Sequence, residues 1–247
     1  MPRTRKSTPK KPLPPAMHIY CEGLKTEPYY IESFIQFFHP THRNIVVVEQ
    51  TNKNTPLQLV ETAINAKAIG SENDVYWVVF DREAINKYPD KLHLEARQKA
   101  DSAGINIGFS NICFELWLLM HFVSSNASYS NCDDLLKNSV LKNKLQDVGI
   151  SKYDKALPYI FDRLKDKIPD AITNSMRINL SSIATASVGK DQPHHLNPYC
   201  DLFELFVDMQ NFINKENSVR KRESDDDKIQ NINETIEYFK EKLKIKI

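Results

Sequence analysis

The chain has 247 residues, of which 41% are hydrophobic, 10% aromatic and 26% charged. That balance excludes a small disulfide-stapled scaffold, a mainly disordered chain and a coiled rod. Thirty-three Lys and Arg against 32 Asp and Glu leave a formal net charge of +1, so bulk charge names no nucleic-acid or acidic partner, and any such partner has to be read from local patches.

Residues 1–15 carry Arg3, Arg5, Lys6, Lys10 and Lys11 among prolines. They read as a mobile basic arm, either a solubilising tail or a phosphate-tracking one. From Met17, short apolar runs alternate with longer amphipathic segments, as in β-α repeats. His18–Cys21 is a predicted strand closed by Glu22-Gly23. Thr26 is the expected N-cap of a helix whose apolar face is Tyr30, Ile31, Phe34, Ile35 and Phe38. Ile45–Val48 is a second strand. Leu57, Val60, Ala63, Ile64 and Ala68 mark a helix ending at Gly70. The unbroken apolarity of Val75–Phe80 fits a central parallel strand covered on both faces. A helix follows over about 91–103, then a strand over 105–109 and a very apolar helix over 113–122. These repeats make a small doubly wound, mainly parallel α/β sheet over residues 16–124.

Strand signals stop after Ser124. Segments 135–145, 155–164, 172–180 and 202–213 are predicted helices, forming a helical half over 125–213 that packs on the sheet. Residues 214–228 read as a charged joint. The stripe Ile229, Ile232, Ile236, Phe239 and Leu243 then marks a C-terminal amphipathic helix. Packing against its own domain is the ordinary reading of that stripe, and a homodimer through it is the alternative. No segment reaches the roughly 20 apolar residues of a membrane span, and no apolar stretch follows the basic N-terminus, so a cytoplasmic protein without a membrane partner is expected. Cys21, Cys113, Cys132 and Cys200 form no Cys-x-x-Cys pair and read as reduced thiols.

Ligands of parallel sheets gather at the carboxyl ends of strands, where Glu22, Asp81 and Glu83 stand. Alternation places Asp81 and Glu83 on one side if the strand continues. Three such carboxylates repel unless protons or a cation intervene, and oxygen ligands favour Mg2+ or Mn2+ over zinc. Taken singly, Glu22 is helix-start polarity, and Asp81 and Glu83 are ordinary strand-end acids paired with Arg82 or a neighbouring lysine. Lys25, beside a glycine turn and a helix N-terminus, suits a phosphate. Glu115 is the one charge in an apolar turn-and-helix and needs a cation, metal or donor as partner. His121 is either a satisfied core histidine or a base or ligand. In the loop from Lys190, His194 and His195 are either solvated or contacts to phosphate or metal. Lys152, Lys155, Arg163 and Arg177 are candidates for a basic wall facing the acids.

Three blocks together are specific: Glu22-Gly23 with Lys25-Thr26-Glu27-Pro28 and Tyr30; Asp81-x-Glu83; and Ser110-Asn111-x-Cys113-Phe114-Glu115-x-Trp117-Leu118-Leu119-x-His121-Phe122. They resemble the RloB-like proteins of bacterial restriction-modification and abortive-infection loci, well over about Met17 to Phe122 and more faintly at Asn197-Pro198. The resemblance implies a Toprim-like fold in which Glu22, Asp81 and Glu83 hold Mg2+ for phosphodiester chemistry, with Glu115 a further ligand or catalytic group. Phosphate or substrate contacts then fall to Lys25, Asn111, His121, Lys155 and Lys190. The chain departs from the family pattern at Glu83, where an aspartate is usual, and at Ile112, where a proline is usual. The function so implied is a Mg2+- or Mn2+-dependent nuclease, acting on RNA or DNA in anti-phage defence. The alternative is a non-catalytic nucleic-acid or nucleotide-binding partner of an ATPase encoded in the same locus.

Overall fold

The computed structural model describes residues 14–84, 86–214 and 225–245, with side chains of the last segment over 229–241. The basic arm, save its last two residues, and most of the charged joint lie outside the described residues. Four parallel strands, β1 (Met17–Cys21), β2 (Val46–Glu49), β3 (Val75–Asp81) and β4 (Asn106–Asn111), and a short β5 (Tyr199–Cys200) form one sheet in the order β2-β1-β3-β4-β5. β5 pairs antiparallel with β4. Its two residues are too few to carry a period-2 signal, so a strand beyond Ser124 was not expected.

Helices α1 (Thr26–Phe38), α2 (Pro56–Ile69) and α3 (Asp90–Ala103) connect successive parallel strands. The alternation along β3 explains its unbroken apolarity. Trp77 and Val79 face one core with Met17, Ile19 and α1, while Tyr76, Val78 and Phe80 face another with Leu59 and Ala63 of α2 and Ala96 and Ala100 of α3. Both faces are covered, as a parallel strand requires. Local signals place the ends of the connecting helices. Thr55 Oγ1 accepts the Gln58 N–H at the start of α2, and Gly104 takes the left-handed conformation (φ 63°) that ends α3. Thr26 is not an N-cap: it is the first helical residue, and its hydroxyl donates to the Lys155 carbonyl.

The helical half shares the first core with α1 and the sheet. The helix expected over 135–145 is two, α5 (Cys132–Asn138) and α6 (Leu141–Asp147), because Ser139 is extended (φ −89°, ψ 169°). That expected over 155–164 shrinks to α7 (Ile160–Leu164), since Pro158 disfavours helical backbone at Leu157. The apolar segment after β4 is helical over α4 (Glu115–Met120). α8 (Ile168–Ala184) extends both ends of its predicted segment. α9 (Phe203–Asn214) and α10 (Asp225–Ile245) complete the chain's helices among the described residues. The architecture is a mainly parallel α/β sheet with a helical C-terminal half, consistent with a Toprim-like fold. No helix among the described residues is long and apolar enough to cross a membrane.

Ile236 and Phe239 of the α10 stripe are buried in their own domain, while Ile229 is exposed. Phe239 is fully buried, with its ring centroid 5.4 Å from that of Phe34 and 4.7 Å from that of Phe38. Phe239→Ala is therefore expected to cost about 3 kcal/mol in urea unfolding and to leave the sedimentation mass unchanged. A changed mass with unchanged stability would contradict this packing.

A candidate acidic site at the carboxyl edge of the sheet

β1 and β3 are adjacent and parallel, with Cys21 opposite Val79. The chain leaving β1 and the last residue of β3 therefore emerge side by side. The Glu22 N–H donates to the Val79 carbonyl (2.8 Å), and Glu22 Oε2 accepts the Asp81 N–H (3.3 Å). Glu22 Oε1 is buried with no hydrogen-bond partner. Asp81 Oδ2 accepts the Phe114 N–H (2.9 Å), which locks the β4–α4 turn over the end of β3.

Glu27 completes the group, although it reads in the sequence only as an acid in the first turn of α1. Its carboxylate folds back over Gly23, where any Cβ would collide with it. A Cβ there would meet only the far end of this flexible side chain, which could move aside. Burial is the main cause of each shift that follows. Glu22 is raised to about 7, pushed up also by Glu27 and opposed by the Asp81 N–H, by Lys87 and by the Tyr88 hydroxyl. Glu27 is raised to about 6, with its own backbone N–H pulling down, Glu115 pushing up and Lys155 pulling down. Asp81 is pushed well above the usual carboxylate range by burial, then by Glu27, Glu22 and Glu115. Burial raises all three carboxyls, and Lys87 and Lys155 offset it only in part.

Glu83 does not join them as the alternation rule predicts. β3 ends at Asp81, and Glu83 turns into the left-handed region (φ 59°), donating its N–H to the Ile112 carbonyl at 2.7 Å. Its carboxylate pairs with Lys87. Among the described residues, no three ligand atoms that include one from Glu22 or Asp81 converge within 4.8 Å. Nor does Arg82 neutralise Asp81. It leaves the other face of the sheet and pairs with Asp90 at 2.9 Å.

Glu115, at 2% exposure, has the partners its burial demands. Oε1 accepts from the Tyr153 hydroxyl (2.9 Å) and lies 3.7 Å from Lys155 Nζ, while Oε2 accepts from Cys132 Sγ (3.0 Å). Cys132 and Tyr153 carried no sequence signal, because these contacts close loops from the helical half. The Thr26–Lys155 bond holds the second loop against α1. Lys155 is thus the one member of the expected basic wall that reaches the acids. Lys152, Arg163 and Arg177 are exposed.

Two expected phosphate contacts, His121 and Asn111, are buried and internally paired, and a third, Lys190, lies away from the acids. His121 is 1% exposed, with Nδ1 2.9 Å from the Trp117 carbonyl and Nε2 2.7 Å from the Tyr30 hydroxyl. A carbonyl only accepts, so Nδ1 carries the proton and Nε2 accepts from Tyr30. Burial, the first cause, lowers this imidazole to about 4 and keeps it neutral. Asn111 is buried and donates to the Pro193 and His194 carbonyls (3.4 and 3.3 Å), tying a later turn to β4. Lys190 lies 3.7 Å from Asp90 on the sheet's other side. Lys25 is exposed at the N-terminus of α1. Asn197 pairs with the Tyr129 backbone through its amide, donating at 2.7 Å and accepting at 3.3 Å, a structural tie.

The raised Glu22 carboxyl makes a signed prediction. Its value is about 7 when folded against about 4.5 in an ordinary setting, so the stability linked to its proton is complete below pH 4.5. It is lost as pH rises towards 7. Buried histidines titrate in the opposite sense, so the comparison is between variants. The stability of Glu22→Gln minus that of the unsubstituted chain is expected to rise by on the order of 2 kcal/mol between pH 5 and 8 in metal-free buffer. A difference independent of pH, measured by urea unfolding, would contradict the assignment.

Comparison with curated proteins and with solved structures gives no significant match. A family model described as RloB-like protein matches residues 17–209, a span containing the sheet, Glu22, Glu27, Asp81, Glu83, Glu115 and most of the helical half. The chain belongs to the RloB-like family.

Proposed function

We propose that the chain is a divalent-cation-dependent phosphodiester hydrolase, a nuclease acting on RNA or DNA in bacterial anti-phage defence. The observation that carries this reading is the buried Glu22 Oε1 without a partner beside Asp81 and Glu27, all three carboxyls raised. A buried oxygen of this kind asks for a cation or a proton, and an all-oxygen donor set suits Mg2+ or Mn2+. Glu22 and Asp81 would hold the ion, with Glu27 within the same electrostatic group. When bound, such an ion supplies charge stabilisation to a phosphodiester undergoing displacement.

The chain's own residues supply the remainder. Asp81 is held in place by the Phe114 N–H and Glu22 by the Asp81 N–H, so the two carboxylates are preorganised by backbone donors. Alternatively, Glu22 acts not as a ligand but as the general base that takes a proton from an attacking water. Lys25, exposed at the start of α1, is available to phosphate oxygens, while Lys155 is engaged by Glu115. Glu83, committed to Lys87, contributes less than the family pattern implies.

With plasmid, single-stranded DNA and total RNA as substrates, cleavage is expected in Mn2+ and not in chelator. Glu22→Gln and Asp81→Asn are expected to lower it at least about 100-fold, while circular dichroism shows the fold retained. Glu27→Gln lowers it as well, and Glu83→Gln by far less. Undiminished cleavage in both Glu22→Gln and Asp81→Asn would end this reading.

One observation favours the second reading, a non-catalytic nucleic-acid or nucleotide-binding partner of an ATPase. Lys87 and Lys155 already stand near the acids and partly answer their charge. Tight binding of nucleic acid or nucleotide with no cleavage in Mn2+ would favour it.

A further inference from the structure

Asp81 and Arg82 leave β3 on opposite sides, so the sheet edge has a second polar cluster away from the acids. Arg82 is 2% exposed and donates to the carbonyls of Tyr88 (2.6 Å), Ala84 (3.3 Å) and His194 (3.3 Å), and to Asp90 Oδ1 (2.9 Å). It thereby fastens the start of α3 to the 3-10 turn Pro193–His195. The turn is pinned from beneath by Asn111. His194 is not solvated, as a loop histidine would ordinarily be, but 6% exposed.

The arrangement leaves ring nitrogens unsatisfied. Nδ1 of His194 and Nδ1 of His195 are buried without a hydrogen-bond partner. Burying such a group costs free energy unless something meets it. His195 Nε2 faces an acceptor, Asp90 Oδ2 at 3.3 Å, and a donor, Lys190 Nζ at 3.4 Å. One imidazole nitrogen can satisfy only one of these. Asp90, His194 and His195 each offer a ligand atom, and the three lie within 4.8 Å of one another. Arg82 takes Oδ1 of the carboxylate and leaves Oδ2 towards His195.

We propose that Asp90, His194 and His195 form a site for one divalent transition-metal ion of the zinc type, separate from the acidic site. Two imidazoles and a carboxylate are the donor set of zinc, cobalt and nickel rather than of magnesium. Arg82 is the positioning group. It orients Asp90 through Oδ1 and holds the His194 backbone, as partners of metal ligands commonly do. Lys190, 58% exposed and 3.7 Å from Asp90 Oδ2, plugs the site and swings into solvent when the ion enters. The bound ion clamps the 193–195 turn onto α3.

Titration of the metal-free chain with Co2+, followed by visible absorption and by equilibrium dialysis against Zn2+, tests this. One equivalent is expected to bind and to raise the melting temperature. His195→Ala, at a partly exposed position, is expected to weaken binding by more than the roughly 10–100-fold typical of losing a ligand's supporting partner. His194→Gln, which keeps the buried volume filled, should do likewise. Lys190→Ala should bind more tightly. Glu22→Gln and Asp81→Asn should keep this equivalent, which separates the site from the acidic one. No binding to the unsubstituted chain overturns the proposal. So does binding that survives both histidine substitutions, or binding lost with Glu22 or Asp81 alone.

Discussion

Carboxylates gathered at the end of a parallel sheet with too little positive charge to balance them are the constraint on which the rest depends. The strand order puts β1 beside β3, and the register puts Glu22 beside Asp81. Glu27 folds back over Gly23 beside them. Each step removes water from an acid without supplying a full counter-charge, and the raised values of all three follow from that. A merely structural network would be expected to satisfy every oxygen, as Glu115 is satisfied by Tyr153, Cys132 and Lys155.

The helical half brings its loops to Glu115 at the carboxyl edge of the sheet. Tyr153 and Lys155 arrive on a loop fastened to Thr26, and Cys132 arrives at the start of α5. The same half fills the core beneath, where Tyr30, Trp117 and Phe206 pack together around the neutral His121. His121 thus serves the site indirectly, by fixing α4 against α1 and so holding the Phe114 N–H that positions Asp81. Arg82 plays the equivalent part on the other face of the sheet.

The β-α repeats were legible because both of their signals are local. A continuous apolar run marks a covered parallel strand, and 3.6-residue spacing marks α1 and α2. Glu22 and Asp81 were legible because strand ends collect ligands. Glu27 was not, since its role comes from a fold-back over Gly23 that spacing does not encode. Glu83 was misplaced because alternation holds only while the strand lasts, and the backbone turns left-handed two residues beyond Asp81. His121, Asn111 and His194 look the same in sequence whether they meet solvent or a carbonyl. Only the packing around Trp117 and the 193–195 turn decides it. The pattern over 135–145 hides a break at Ser139 that makes two helices of one, and Pro158 shortens the helix over 155–164.

The most direct measurement of the central claim is proton release on cation binding, obtained by calorimetric titration with Mn2+ at pH 6 in two buffers of different ionisation enthalpy. If Glu22, Glu27 and Asp81 hold protons because burial raises them, the ion displaces them. The heat then depends on the buffer, more at pH 6 than at pH 8, and the dependence shrinks in Glu22→Gln. Mn2+ binding with the same heat in both buffers, or no binding at either pH, would contradict the account.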